Sequence, residues 1–297
     1  MNKILIPTDF SLTAEKAYKL AATIAARTEA ELIFIHIIPK SLRKGLSVNF
    51  SSIANISEYD IADEIAAAKE LLDRIPALPL FAGLKVSTEL ITDTKEDIPT
   101  AISTYEEQNE IDLVVTGTDG ARTTRRNYAP IIVRTANCPV ITVENTSDEI
   151  TLQHLVVATD FRNVNYKMMD KIWTLQQLFE SKLTILYVNT PHHFKDSQNI
   201  ENEYNLFVSK FELENTTLAI YNDHILEDGI LKFVEREKAD MLLMSTHGRT
   251  GVSNLFNRSH AEYIVGHAKM PVYVYNIHMD EIYYNTVSNA SLGSYYV

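Results

Sequence analysis

The sequence predicts an α/β protein with two tandem open parallel five-stranded sheets, each with helices on both faces. Short runs rich in β-branched residues alternate along the chain with longer stretches of helical spacing. The short runs are apolar throughout, which is typical of strands buried on both faces of a parallel sheet. The whole pattern occurs twice, so we expect two copies of one domain related by a pseudo-two-fold.

The duplication is visible as three segments that recur in the same order in the two halves. The pairs are KILIPTDFS at 3–11 with HLVVATDFR at 154–162, EIDLVVTGTDGAR at 110–122 with KADMLLMSTHGRT at 238–250, and NCPVITV at 137–143 with KMPVYVY at 269–275. Matches in one order indicate a tandem repeat. The polar stretch at 144–153 separates the copies and predicts domains 1–147 and 148–278, followed by a tyrosine-rich extension at 279–297.

The individual elements follow from local periodicity. In the first half, SLTAEKAYKLAATIAART at 11–28 has apolar residues at intervals of three and four after Ser11, a predicted N-cap. In the second half, helices are predicted near 164–180, 198–212, 223–238 and 256–268, and strands at LVVAT, LTILYV, TTLAIY, DMLLMS and PVYVY. The long polar segment at 39–60 in the first half is predicted to be a functional or mobile loop.

Composition excludes several classes of function. A net charge of −12 and a pI near 5.2 disfavour broad contact with nucleic acid or an anionic membrane. We find no apolar run of membrane-spanning length and no signal peptide, and the single cysteine, Cys138, suits a reducing compartment. A cytoplasmic protein is the expectation.

The usual catalytic motifs are missing from the sequence. It has no nucleophile elbow, Walker lysine or HExxH pattern, so no catalytic residue and no metal site is predicted. His192 and His193 stand in a polar loop and are expected to be solvent-exposed.

The candidate site lies where the strand order reverses. In open α/β sheets, ligands bind beyond the carboxyl ends of the strands at this point. Asp9 and Asp160 close the first strands of the two halves, while Gly117 and Ser245 stand at the ends of the fourth strands. If the first and fourth strands are neighbours, these residues meet at one crevice in each half.

These motifs resemble the universal stress protein family. The resemblance rests on a first strand ending in TDF, on MSTHGRTGVSNLF at 244–256 and on the final CPV strand, and it covers essentially the whole chain as two tandem domains. It implies an adenine nucleotide alpha hydrolase-like fold and dimeric or pseudo-dimeric assembly. A subset of the family binds ATP and carries G-x2-G-x9-G-[ST] after the fourth strand.

The second half keeps this phosphate motif in part. Glycines allow positive φ and close approach of backbone N–H groups to phosphate, and the next helix presents its N-terminal dipole. Ser245 and Arg258 replace two of the three glycines, whereas the remaining candidate residues are Gly248, Arg249, Gly251 and Ser259. We expect a weakened anion site here, and the alternative is an exposed turn that connects strand to helix.

The first half keeps Gly117 and Gly120 but departs further from the motif. Its loop is four residues shorter, which sets Asn127 against Ser259, and Asp119 adds a negative charge where His247 stands in the second half. Arginines at 122, 125 and 126 could offset that charge. A solvated basic turn is the expectation.

The family resemblance also implies which residues would contact the nucleoside end of the ligand. Thr159 and Asp160 would lie beside the adenine and ribose, with Asp160 accepting hydrogen bonds and with Val188 and Met244 as apolar lining. The aspartate of each TDF can also cap the helix that follows, and both roles can hold at once.

The function predicted from these observations is weak, asymmetric binding of ATP or another adenine nucleotide, mainly in the second domain. Mg²⁺ is a candidate companion ion, and no appreciable turnover is expected. The partners predicted are this small-molecule ligand and the second half of the same chain as an intramolecular pseudo-dimer, with a homodimer as a further option. The alternative is a nucleotide-independent interaction scaffold whose sites have decayed.

Overall fold

The structure is a computed structural model that describes residues 1–40, 58–120, 127–144, 151–161, 166–247 and 258–277. The chain divides into two compact units, Met1–Asn145 and Thr146–Val297. Most of the loop predicted at 39–60 and almost all of the tyrosine-rich extension lie outside the described residues. Among the described helices, none is long and apolar enough to cross a membrane.

Unit 1 is an α/β domain in which strands and helices alternate. Its described elements are β1 (Lys3–Pro7), α1 (Leu12–Thr28), β2 (Glu31–Ile37), α2 (Glu58–Arg74), β3 (Val86–Ile91), α3 (Ile98–Asn109), β4 (Leu113–Thr118), α4 (Ala129–Thr135) and β5 (Val140–Glu144). The strands pair in parallel in the order β3-β2-β1-β4-β5. The predicted helix after Ser11 is confirmed, and the Ser11 side chain accepts from the backbone N–H of Ala14.

Unit 2 repeats this alternation. Its described elements are β6 (His154–Ala158), α5 (Tyr166–Phe179), β7 (Lys182–Asn189), α6 (Ser197–Lys210), β8 (Thr216–Asn222), α7 (Leu226–Arg236), β9 (Met241–His247), α8 (Arg258–His267) and β10 (Val272–Ile277). The parallel order is β10-β9-β6-β7-β8, which is the same topology as in unit 1. The α/β fold class and the five strands predicted for each half are therefore confirmed.

The core of each unit lies along its first strand. Ile4, Leu5 and Ile6 of β1 have no exposed surface, and neither have Leu155 and Val156 of β6. Adjacent residues of a strand point to opposite faces, so helices must cover both sides of these strands.

A hydrogen-bonded clamp at the start of the first strand occurs in both units. In unit 1, the Asp112 carboxylate accepts from the backbone N–H groups of Asn2 (2.5 Å) and Lys3 (3.2 Å). In unit 2, Asp240 accepts from the N–H groups of Gln153 and His154, both at 2.8 Å. The clamp fixes the start of β1 beside β4 and of β6 beside β9, and it makes Asp112 and Asp240 equivalent positions.

Several helices end at a glutamate in the left-handed region. Glu29, Glu110 and Glu180 directly follow the last residues of α1, α3 and α5, with φ of 57°, 53° and 52°. Glycine is the residue favoured at such positions, and a negative charge there lies at the negative end of the helix dipole. These helix ends are therefore locally unfavourable.

Candidate functional site

Each unit has the strand arrangement that forms a crevice at the carboxyl ends of the first and fourth strands. β1 lies between β2 and β4, and β6 lies between β7 and β9, so the strand order reverses at β1 and at β6. The predicted pairing of first and fourth strands is confirmed. The crevice beyond these strand ends is where a doubly wound sheet holds its ligand.

The TDF segment forms the same tight turn in both units. The hydroxyls of Thr8 and Thr159 accept from the N–H groups of Phe10 and Phe161, each at 2.9 Å. Both phenylalanines are left-handed, with φ of 60° and 64°. Thr159 therefore has a structural role in this turn that the prediction of a binding residue did not include.

The aspartates of the two TDF segments lie in different environments. Asp9 is exposed, and its carboxylate accepts from the N–H of Ser11 at 3.0 Å. Ser11, and not Asp9, is the N-cap of α1, so the predicted capping role of the aspartate is wrong for unit 1. Asp160 is 3% exposed. A carboxylate in that environment needs polar partners, which makes Asp160 the more constrained of the two.

Five predicted site residues of unit 2 lie at the carboxyl ends of three neighbouring strands. The N–H of Thr159, just after β6, donates to the carbonyl of Leu186 in β7 at 3.1 Å. Val188 of β7 and Met244 and Ser245 of β9 are buried, and Met244 has no exposed surface. The group brought together is Thr159, Asp160, Val188, Met244 and Ser245.

The other predicted residues belong to the loop after β9. Gly248, Arg249 and Gly251 lie outside the described residues. Arg258 is the first residue of α8, and Ser259 is exposed in the first turn of that helix. An exposed hydroxyl beside the free N–H groups of a helix start is available to an anion.

Two contacts on α7 add residues that the sequence analysis missed. A Cβ at Gly229 would lie 2.6 Å from Cγ1 of Val188, so α7 reaches β7 because position 229 has no side chain. Two residues earlier in the same helix, the Glu227 carboxylate contacts Nδ1 of His260 on α8. A glycine inside the amphipathic helix was the signal that could have indicated close packing.

Unit 1 contains a pocket of about 140 Å³ in the equivalent place. It lies beyond the ends of β1, β2 and β4, beside the starts of α1, α3 and α4. Isoleucines from β2, α3 and α4 contribute to its apolar walls. The polar side chains that line it are Thr8, Asp9, Ser11, Thr13, His36, Thr116, Asp119, Asn127 and Tyr128.

One end of this pocket is closed by contacts between β4 and α1. The Thr13 hydroxyl donates to the Asp119 carboxylate at 2.6 Å. A Cβ at Gly117 would lie 2.7 Å from the backbone carbon and oxygen of Thr13. Gly117, which the sequence presented as a retained glycine of a phosphate motif, therefore serves helix packing in this unit.

Asn127 joins the end of β4 to the start of α4. Its amide donates to Thr118 Oγ1 (3.0 Å) and to the carbonyl of Gly120 (3.2 Å), and its oxygen accepts from the N–H of Ala129 (3.2 Å). Asn127, which aligns with Ser259, thus uses its side chain for hydrogen bonds within the protein. Arg122, Arg125 and Arg126 lie outside the described residues.

Metal chemistry has no support in the described part of the chain. Among those residues, no group of three or more His, Cys, Asp or Glu side chains could hold a metal ion. His192 is exposed, as predicted, and His193 is partly buried in a short turn after β7.

Comparison with known proteins identifies the class to which this fold and crevice belong. The model of the universal stress protein family matches residues 1–144 and 219–276. The chain therefore belongs to the universal stress protein family.

Individual relatives agree with this assignment. A universal stress protein of Methanocaldococcus jannaschii is 29% identical over 155 residues, covering 50% of this chain and 85% of the relative. A putative universal stress protein of Staphylococcus aureus is 28% identical over 167 residues, covering 54% of this chain and 95% of the relative. The crystal structure of a universal stress protein from Archaeoglobus fulgidus shares the fold, with a TM-score of 0.68, 16% identity and coverage of 93% of this chain and 98% of that one.

Proposed function

We propose that this universal stress protein binds an adenine nucleotide or a related phosphate ligand in the crevice of unit 2, weakly and without appreciable turnover. One difference between the units carries the proposal. Seven residues after the clamp aspartate, unit 1 has Asp119, whose carboxylate lies at the pocket, and unit 2 has His247. A carboxylate repels phosphate, so the anion is assigned to unit 2.

The nucleoside end of the ligand fits the residues at the ends of β6, β7 and β9. Asp160 supplies a carboxylate that accepts hydrogen bonds from ribose hydroxyls. Val188 and Met244 supply the buried apolar surface on which a base rests. Ser245 replaces a glycine, and its side chain hinders close contact between a phosphate and the backbone of β9.

The phosphate end fits the start of α8. The N–H groups of its first turn and the exposed Ser259 hydroxyl supply donors, and the helix dipole favours an anion at this place. We assign Gly248, Arg249, Gly251 and Arg258 to the same end. A Mg²⁺ ion would be carried by the phosphates and water, since it binds proteins through few carboxylates and retains its waters.

We propose the lack of appreciable turnover because of what phosphoryl transfer needs. Such a reaction requires a group that positions the nucleophile and a metal held in line with the transferred phosphate. The proposed site offers hydrogen-bond donors and one buried carboxylate, a set suited to holding a ligand.

An interaction scaffold without nucleotide is the second candidate. It is favoured by unit 1, where Asp119 is held by Thr13 and Asn127 is used to join β4 to α4. A chain in which both sites had been converted in this way would bind partners through its surface alone.

Calorimetric titration of the intact chain with ATP, ADP and AMP in the presence of Mg²⁺ tests the proposal. We expect binding in the millimolar range or tighter, and Ser259→Ala should weaken ATP by about tenfold, the value of one charge-assisted hydrogen bond. Ser197→Ala is the matched control, because Ser197 is an exposed serine at the start of α6.

A second matched pair tests the nucleoside end. Asp160→Asn should weaken the binding of AMP and of ATP alike, whereas Asp9→Asn should leave both affinities unchanged. A wild-type chain that gives no heat of binding at millimolar ATP would exclude the nucleotide proposal and leave the scaffold. Equal losses from Asp160→Asn and Asp9→Asn would contradict the assignment to unit 2.

A further inference from the structure

The pocket of unit 1 has the size of one ring. Its volume is about 140 Å³. An apolar cavity of roughly 150 Å³ holds one benzene ring, whereas pockets for drug-sized ligands measure roughly 300–1,000 Å³. A molecule with a single six-membered ring matches this volume.

The walls of the pocket suit an aromatic ring. Ile35 of β2, Ile98 and Ile102 of α3, and Ile132 of α4 line it from three sides. These side chains come from separate elements of the packed domain, so the apolar walls are held in place by the fold. Burial of a ring between them removes apolar surface from water, which is the main source of affinity for small ligands.

A buried hydroxyl in the same pocket is poorly satisfied. Thr116 lines the pocket and is 6% exposed. The contact of its Oγ1 is with the carbonyl of the next residue, Gly117, at 3.4 Å, which is long for a hydrogen bond. Unit 2 has the apolar Met244 at the equivalent position, four residues after the clamp aspartate. A polar group of a ligand would complete the hydrogen bonding of Thr116.

Among the lining residues of the pocket that the structure describes, the charged side chains are of one sign. Asp9 and Asp119 line it, and the lining residues that the structure describes include no lysine or arginine. One oxygen of each carboxylate accepts from the protein, from the Ser11 N–H and the Thr13 hydroxyl respectively. The second oxygen of each has no partner among the described residues. His36 also lines the pocket, and its Nδ1 donates to the carbonyl of Thr8 at 2.6 Å.

We propose that unit 1 holds a second ligand site, which takes a single-ring molecule bearing a cationic nitrogen group, such as an arylalkylamine or an aryl amidine, and rejects phosphates. The ring lies between the isoleucines, and the nitrogen group donates to the free oxygens of Asp9 and Asp119. An anion would meet two carboxylates there, so a phosphorylated ligand is excluded. The inference does not rest on nucleotide binding in unit 2.

The test uses three probes of equal size on the intact chain: benzylamine, benzyl alcohol and benzoate. Binding is followed by saturation-transfer NMR and by titration. We expect affinity to fall in the order benzylamine, benzyl alcohol, benzoate, with at least about tenfold between the first and the last. The ammonium group donates a charge-assisted hydrogen bond to a carboxylate, whereas benzoate has no donor and is repelled. ATP at the same concentration should not displace benzylamine.

Two near-isosteric variants locate the site. Asp119→Asn should weaken the binding of benzylamine by about threefold to tenfold and strengthen the binding of benzoate. Thr116→Val should weaken both benzylamine and benzyl alcohol. Asp63→Asn, on the exposed face of α2, is the control and should change neither.

Three results would overturn the inference. The first is equal or tighter binding of benzoate, and the second is no binding of any probe to the unmodified chain. The third is an Asp119→Asn variant that folds and binds benzylamine as before. All three are independent of the Ser259 and Asp160 variants, so failure here and failure of the nucleotide proposal are separate outcomes.

Discussion

The ring of Phe161 stacks on the ring of Tyr187, with centroids 5.9 Å apart and planes 4° from parallel. Phe10 meets His36 at the equivalent place in unit 1, with centroids 4.8 Å apart. In both units the left-handed turn after the first strand directs the aromatic ring toward the second strand. The turn that places the aspartate at the crevice is therefore fastened by a ring contact.

Truncating this contact should destabilise unit 2. Tyr187 is 1% exposed, so Tyr187→Ala should lower the free energy of unfolding by about 3–5 kcal/mol, as for other large aromatic residues in cores. Tyr187→Phe should cost about 1 kcal/mol, because it removes the hydrogen bond from the hydroxyl to the His193 carbonyl (3.2 Å) and keeps the ring. Urea denaturation measures both. Tyr263→Ala, at an exposed tyrosine, is the control, and an equal effect there would argue against a core role for Tyr187.

A side chain at position 117 should separate α1 from β4. Gly117→Ser places a Cβ 2.7 Å from the Thr13 backbone, and overpacking of this kind costs about 1–3 kcal/mol of stability. Ser245→Ala at the equivalent position of unit 2 keeps the Cβ and should cost less. Thermal and urea unfolding distinguish the two. A Gly117→Ser protein as stable as the wild type would show that the helix start adjusts freely.

Burial raises the pKa of the Glu106 carboxyl to about 7. Glu106 is 3% exposed; one oxygen accepts from the N–H of Asn137 at 2.8 Å, and the other, Oε1, has no partner. The folded protein thus keeps the proton up to about pH 7, while the unfolded chain loses it near its ordinary value of about 4.5. Between these values the folded state binds more protons, so stability falls as the pH rises.

The Glu106→Gln variant tests this dependence. Glutamine stays neutral at all these pH values. The free energy of unfolding of the variant should therefore not show the decline, on the order of 3 kcal/mol, that we expect for the wild type between about pH 4.5 and pH 7. The variant should resemble the wild type at pH 4.5 and exceed it in stability at pH 8. Urea denaturation at several pH values gives the comparison. A decline of the same size in both proteins would assign it to other groups.

Replacing the glutamate at the end of α1 should stabilise unit 1. Glu29→Gly relieves the left-handed backbone and removes a negative charge from the helix C-terminus, so we expect a gain of about 0.5–1 kcal/mol. Glu29→Gln removes the charge alone and should gain a few tenths of a kcal/mol, less at high salt. A Gly variant no more stable than the Gln variant would show that backbone strain contributes little here.

The elements that could be predicted from sequence are those with a local cause. Ser11 precedes an amphipathic repeat, and it caps α1. The apolar runs form the expected strands because their pattern fits a sheet buried on both faces. Glu106 also had a local signal, since it continues the stripe of Ile98 and Ile102 at intervals of four and so lies on the buried face of α3.

The parts that could not be predicted depend on contacts between distant segments. Gly117 resembled a phosphate-loop glycine, but its role is set by Thr13, more than a hundred residues earlier. Asn127 aligned with a phosphate-binding serine, but its amide reaches back to Thr118. The unit 1 pocket requires six elements to meet. No local pattern in the sequence encodes which side chains share such a space.

The clamp at Asp112 bears on how the chain folds during its synthesis. The N–H groups of Asn2 and Lys3 are made first, but their acceptor is made 110 and 109 residues later. β1 is the middle strand of unit 1, and its pairing with β4 waits for the same residues. A nascent chain that has emerged only as far as α3 therefore carries a strand with one unpaired edge, the kind of edge that invites aggregation. On the ribosome, this edge of β1 is covered only after Asp112 and β4 have left the exit tunnel.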